Sequence, residues 1–183
     1  MEIELRKAAY LLAPRIVTLV TTLSADGKPN AAPYSFVGPI SFNPPLVYFA
    51  AAPDRVSLAN ARATGEFVLN LVSEDFGQQA VFCEEKLPDR SARLTKNNLH
   101  LAPCKSVKVP RIAEAKTFLE CAVHRIIEIP ESDHVLVVGK VLHAECALTK
   151  NGRADHDALR YLMHIGGNEF RTVGRGLVLE RRK

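Results

Sequence analysis

Hydrophobic and polar positions along this chain fall into short runs punctuated by turn residues. Ile16 to Leu23 is apolar with interleaved threonines, the composition of a strand. Ser24-Ala25-Asp26-Gly27-Lys28 follows as a turn, because Asp-Gly supplies the positive φ a hairpin needs. Pro29 to Phe36 returns as a second strand, with Pro29 at its start and Pro33 marking an edge or bulge. Gly38 and Pro39 are expected to break it, Asn43-Pro44-Pro45 to form a stiff loop, and Leu46 to Ala51 to form a short buried strand. Asp54 is the expected N-cap of a helix from Arg55 to about Thr64, with a loose apolar face of Val56, Leu58, Ala59 and Ala63 and a stop at Gly65.

Phe67 to Val72 reads as another strand, and Ser73 can cap a second helix running toward Glu84. Lys86 to Leu101 is polar and mixed, a surface loop or short helices. From Thr117 to Ile129 the pattern alternates: Leu119, Cys121, Val123, Ile127 and Ile129 share a face interrupted by Arg125. His134 to Cys146 is a long strand, and Gly139 inside it indicates a bulge or a close backbone approach. Asp157 to Met163 is a short helix candidate ended by Gly166-Gly167. Six or seven strands with two or three short helices, often joined as hairpins, predict a mainly β protein. An antiparallel barrel with helical lids fits better than a doubly wound sheet.

Composition narrows this. A chain of 183 residues suits a single domain over 1–183. With 47% hydrophobic and 24% charged residues it is ordinary globular material, which excludes a disordered or low-complexity chain. The net charge of +4 is spread out apart from the basic end Glu180-Arg181-Arg182-Lys183, which reads as a solvated tail. No recognition motif accompanies it, so no nucleic-acid partner is expected. A mild positive excess suits an anionic small ligand. Cys83, Cys104, Cys121 and Cys146 form no CxxC pair and read as reduced core thiols. No run approaches the ~20 apolar residues of a membrane span, and the acidic start Met1-Glu2-Ile3-Glu4 is not a secretory leader. The expectation is a cytoplasmic protein without a membrane partner.

Motifs exclude several chemistries. There is no GxGxxG after a strand, no GxxxxGK[ST], no GxSxG elbow and no HExxH. Asp155-His156-Asp157 reads as a solvated turn or helix start rather than a metal site.

Five pieces in order carry a resemblance. They are Asn30-Ala31-Ala32-Pro33-Tyr34-Ser35-Phe36, Phe42-Asn43-Pro44-Pro45-Leu46-Val47, Arg55-Val56-Ser57-Leu58-Ala59-Asn60, Phe67-Val68-Leu69-Asn70-Leu71-Val72, and the stretch from Asp133 to Val141. Over roughly residues 10 to 170 the chain resembles the flavin-reductase-like family of FMN-binding split-barrel proteins. That resemblance implies a six-stranded Greek-key split barrel, a homodimer, and FMN at the dimer interface. It implies an NAD(P)H-dependent flavin oxidoreductase, with NADH or NADPH as co-substrate and an oxygenase or other redox partner receiving the product. The alternative within the family is a flavoredoxin-like electron carrier.

On the residues alone, Tyr34 and Phe36 read as core aromatics, Arg55 as a solvated helix-start residue, and His134 as a structural or solvated strand-end histidine. Set against the chemistry of FMN, the helix start suits the phosphate. Orphan N–H groups, the helix dipole, Arg55 and Ser57 all favour an anion there. Tyr34, Ser35 and Phe36 would meet the flavin edge, with Ser41 and Phe42 extending the ring wall. The resemblance puts His134 on the nicotinamide side, and Tyr161 in a segment like the family's C-terminal region, although Gly166-Gly167 is displaced there. No catalytic acid or base is expected, because the flavin carries the chemistry.

Overall fold

The computed structural model describes residues 2–85, 92–173 and 176. The basic end from Glu180 and part of the polar stretch after Lys86 lie outside them. In chain order the strands are β1 Arg15–Ile16, β2 Thr18–Leu23, β3 Pro29–Tyr34, β4 Val37–Phe42, β5 Pro45–Ala51, β6 Glu66–Leu71, β7 Leu101–Ala102, β8 Arg111–Ile112, β9 Thr117–Glu128, β10 Val135–Cys146, β11 Thr149–Lys150, β12 Arg153–Ala154, β13 Leu162–Gly166 and β14 Glu169–Thr172. The helices are α1 Val56–Thr64, α2 Gly77–Phe82, α3 Ala92–Lys96 and α4 His156–Leu159, with 3-10 segments at Leu5–Leu12 and Glu74–Phe76.

The main sheet has seven strands in the order β3-β2-β6-β9-β10-β5-β4, every pair antiparallel. That is one strand more than the six expected. Its edges, β3 and β4, share no ladder among the described residues, so the barrel is split there. Its interior packs Val20, Phe49, Phe67, Leu69, Cys121 and Val137, and Leu58 and Ala61 of α1 close one end. Both faces of β2 and β6 are covered, because Leu19 packs outward with Val72, Phe76 and Ile112, and Val68 with Val109 and Phe118. These strands therefore read as nearly continuous apolar runs instead of alternating ones.

Buried polar side chains tie loops to this barrel. Asn70 donates to the Leu19 carbonyl (2.8 Å) and accepts from the Ile112 amide (2.8 Å), while Thr21 donates to the Pro110 carbonyl (2.7 Å). Glu120, fully buried, accepts from the amides of Lys105 and Ser106. Each pairing satisfies a buried group that would otherwise be costly.

Several expectations change. Gly38 and Pro39 lie inside β4, and the strand absorbs them through a register shift between Pro39 and Ser41. As an edge strand it tolerates a proline that a central one would not. The residue at the start of α1 is Arg55, in extended conformation with no side-chain cap, and not Asp54. On β9 the register slips at His124, from Arg125↔Val138 to Val123↔Gly139. The extra residue reverses the alternation, so Ile126 rather than Ile127 joins the interior.

The helix expected over Asp157–Met163 ends at Leu159. Asp155 accepts from the Ala158 amide (3.1 Å) to start it, and Arg160 in the left-handed region ends it. Leu162–Gly166 is instead a strand, which pairs with β1 and turns through Gly167 into β14. This small three-stranded sheet carries one wall of the site.

Candidate functional site

A cleft of about 720 Å³ opens where the β3–β4 turn, the start of α1, the β9–β10 turn, the β13 strand and the N-terminal 3-10 helix meet. That volume is ample for a nucleotide-sized ligand. Six residues expected at a site from the sequence come together on it: Tyr34, Ser35, Phe36, Arg55, Ser57 and His134.

One end is built on α1. The backbone rises into the helix after the turn at Ala52–Arg55, and Arg55 supplies the first carbonyl that the Leu58 and Ala59 amides use. With no side-chain cap at Arg55, the amides of Val56 and Ser57 are left to an outside acceptor. The exposed Arg55 guanidinium has no ion pair among the described residues. Ser57 is buried at the cleft's base and accepts from Asn30 Nδ2 (3.1 Å). An amide nitrogen only donates, so the Ser57 hydroxyl keeps its own hydrogen to give away. Asn30 in turn sits in a buried polar group with Thr22 and Asn60, which fixes it from below.

Tyr34 packs its ring on Phe49 at 5.2 Å and carries its hydroxyl toward this same end. That oxygen is buried with no hydrogen-bond partner among the described residues. Burial pushes the phenol's pKa upward, and the neighbouring Ser57 hydroxyl and Arg55 charge offset part of the rise, although the two hydroxyls do not meet in normal hydrogen-bond geometry.

The middle of the cleft is aromatic. Phe36 lies 5.2 Å from the His134 ring. His134 Nδ1 is 2.6 Å from Asp133 Oδ1, and this hydrogen bond holds the Asp133 carboxyl below the usual range. The far end is formed by Arg15, opposite His164 across the β1–β13 pair. Ser35 Oγ lies 3.2 Å from His164 Nδ1.

Ser41 lies on the edge strand β4 and does not line the cleft. Tyr161 is buried away from it, donating to Thr117 Oγ1 (2.7 Å) with its ring against His156. Burial raises its phenol pKa as well. Sequence reasoning missed Asn30, Arg15 and His164. Asn30 opens the Asn30-to-Phe36 motif. The signal for the other two, a polar pair at the ends of two short strands, is visible only once β13 is known to be a strand.

Among the described residues no cluster of His, Cys, Asp and Glu could hold a metal, and no helix is long and apolar enough to cross a membrane. The residues fit a flavin nucleotide: an uncapped helix start with a free arginine and an undonated hydroxyl for the phosphate, and a partly aromatic slot for the ring.

The family model described as "Flavin reductase like domain" matches residues 11–170. An uncharacterized protein of Halalkalibacterium halodurans, BH2278, is 33% identical over 181 residues, covering 92% of this chain and 86% of that one. Among solved structures, nitrilotriacetate monooxygenase component B from Bacillus cereus superposes with a TM-score of 0.89 at 24% identity, covering 97% of this chain and 95% of that one. Flavoredoxin of Desulfovibrio vulgaris (Miyazaki F) superposes with a TM-score of 0.84 at 20% identity, covering 98% and 97%. At such identities the two structures speak to the fold, a split barrel.

Proposed function

Because this chain belongs to the flavin-reductase-like family, we propose that it is a single FMN-binding unit acting as an NAD(P)H-dependent flavin oxidoreductase in the cytoplasm. The observation that carries the reading is Arg55, an unpaired cation at the uncapped start of the nine-residue helix α1, with Ser57 beneath it. These groups would hold the FMN phosphate. When bound, the flavin would supply the redox chemistry, taking up hydride from NADH or NADPH. The protein's work is orientation: Tyr34, Ser35 and Phe36 line the ring slot, and His134, ordered by Asp133 and Phe36, stands where the nicotinamide would enter. Ser41 and Tyr161, outside the cleft lining, have no direct contact in this reading and would act through β4 and β9.

The likeness to component B of nitrilotriacetate monooxygenase supports an oxygenase as recipient of the reduced flavin or its electrons. A homodimer accounts for the exposed apolar side chains: Leu5, Leu11 and Leu12 on the N-terminal 3-10 helix and Phe42, 96% exposed, at the β4–β5 turn. Light scattering should give twice the protomer mass.

The deciding experiment is anaerobic stopped flow. FMN-loaded protein is mixed separately with NADH and NADPH while the flavin absorbance band at ~450 nm is followed. Rapid bleaching by one of them is expected. Tight FMN binding without bleaching by either would instead make the protein a flavoredoxin-like electron carrier.

A further inference from the structure

Arg15 and His164 are cross-strand partners, so their side chains leave one face of the small sheet, and that face is a cleft wall. Arg15 Nη2 lies 3.3 Å from His164 Nδ1. A guanidinium has hydrogens to give and no lone pair, so Nδ1 must accept. His164 Nε2 is 3.1 Å from the Gly167 carbonyl oxygen, which can only accept, so Nε2 carries the ring hydrogen. Both contacts together require the neutral tautomer. His164 therefore props Arg15 without neutralising it.

The other contacts of Arg15 bring no negative charge either. Nη1 donates to the Ala9 carbonyl (3.0 Å), and the Phe36 ring lies 5.5 Å from Cζ. Nε is buried without a partner, and among the described residues no carboxylate pairs with this guanidinium. A half-buried cation with no counter-charge is costly, and that cost marks a place where an anion is bound. One hydrogen on each Nη remains for an oxyanion. Arg6, on the 3-10 helix that Arg15 tethers, also lines the cleft, but Glu4 pairs with it (2.7 Å), so Arg15 is the cation left for a ligand here.

This end is distinct from the one at Arg55. Tyr34 is the last residue of β3 and Ser35 the first of the bend that follows it. Tyr34 turns toward Ser57, whereas Ser35 turns toward His164. One short segment thus divides the cleft into two anion-seeking ends, and FMN has a single phosphate to satisfy one of them. We propose that Arg15 forms a second anion subsite that takes a phosphoryl group of the dinucleotide reductant while Arg55 holds that of the flavin. The assignment to the reductant rests on the proposed NAD(P)H-dependent function.

ADP-ribose carries the pyrophosphate of that reductant and no nicotinamide. It should be titrated calorimetrically into the wild type, Arg15→Gln and Arg15→Lys, each with and without FMN. The expected result is that Arg15→Gln weakens ADP-ribose about tenfold or more while FMN affinity changes less than about threefold, and that Arg15→Lys recovers part of the loss. Melting curves accompany each variant, and Arg15→Lys carries the comparison should Arg15→Gln fold poorly. Three results overturn the proposal: ADP-ribose binding indifferent to Arg15, equal loss of FMN and ADP-ribose, or a second FMN per protomer that Arg15→Gln removes. Wild-type protein that takes FMN yet ignores millimolar ADP-ribose removes the subsite and leaves the flavin reading intact. Arg15-dependent ADP-ribose binding in protein that never takes FMN keeps the subsite and removes the flavin reading.

Discussion

The ring of Phe67 fills the space where a side chain on Gly139 would begin: a Cβ built there would stand 2.3 Å from Phe67 Cζ. Phe67 is fully buried in the barrel interior, and Cys121 Cβ would lie 3.0 Å away on the other side, so neither neighbour can step back freely. Gly139→Ala should therefore overpack the core and cost about 1–3 kcal/mol. In a chain of this size that lowers the melting midpoint by roughly 2–4 °C per kcal/mol. Phe67→Leu in the same background should return part of the loss, a non-additivity that a double-mutant cycle in urea would measure.

Gly139 was also the point where sequence and structure met most closely. A lone glycine in a long apolar strand has few uses other than a bulge or a close approach, and here it serves both. The Asp26-Gly27 turn and the Gly65 helix stop were legible for the same reason, since positive φ leaves a narrow choice of residue. The start of α1 was legible as a place for an anion, but its uncapped state was not, because Asp54 looks like a cap until the backbone shows Arg55 in that position. The far wall was illegible. Arg15 meets His164 across 149 residues of chain, through strands of two and five residues too short to leave a periodic signal. The slip at His124 was hidden similarly, because an added residue in one strand has meaning only against its partner.

Three thiols should be nearly inert in the folded protein. Burial pushes Cys121 and Cys104 up to about 12, with the buried Glu120 charge adding to both, and burial pushes Cys83 up to about 11. At pH 8 their thiolate fractions would be on the order of 10⁻³ to 10⁻⁴. Iodoacetamide should leave these cysteines unmodified in native protein and label them in denaturant, as read by mass spectrometry. Because the folded values lie above the unfolded value near 9, the protein's preference for the neutral thiols is complete below pH 9 and is lost as pH rises toward 11–12. Tyr34 and Tyr161, also raised, act in the same direction. The urea midpoint should thus fall steadily from pH 9 to pH 10.5; an unchanged midpoint would contradict the assignment.

Arg55 gives the sharpest test of the flavin site, because FMN and riboflavin differ only in the phosphate. Arg55 is exposed and has no partner among the described residues, so Arg55→Ala should leave the fold and its melting temperature unchanged. Losing a charge-assisted contact should weaken FMN by roughly 1.5–3 kcal/mol, about ten- to a hundredfold, and leave riboflavin nearly unaffected. Ser57→Ala should act in the same direction by about 1 kcal/mol. It also strips the acceptor from Asn30, which is 4% exposed, so some loss of stability should accompany it. Asn30→Asp tests the same end from below: a carboxylate only accepts, so the Ser57 hydrogen would turn inward, and the carboxylate's charge would repel the phosphate, so FMN should weaken while riboflavin does not. Fluorescence titrations of both ligands against the three variants separate these cases. Equal loss for FMN and riboflavin in Arg55→Ala would mean that the arginine shapes the cleft generally, and the phosphate would have to be sought elsewhere.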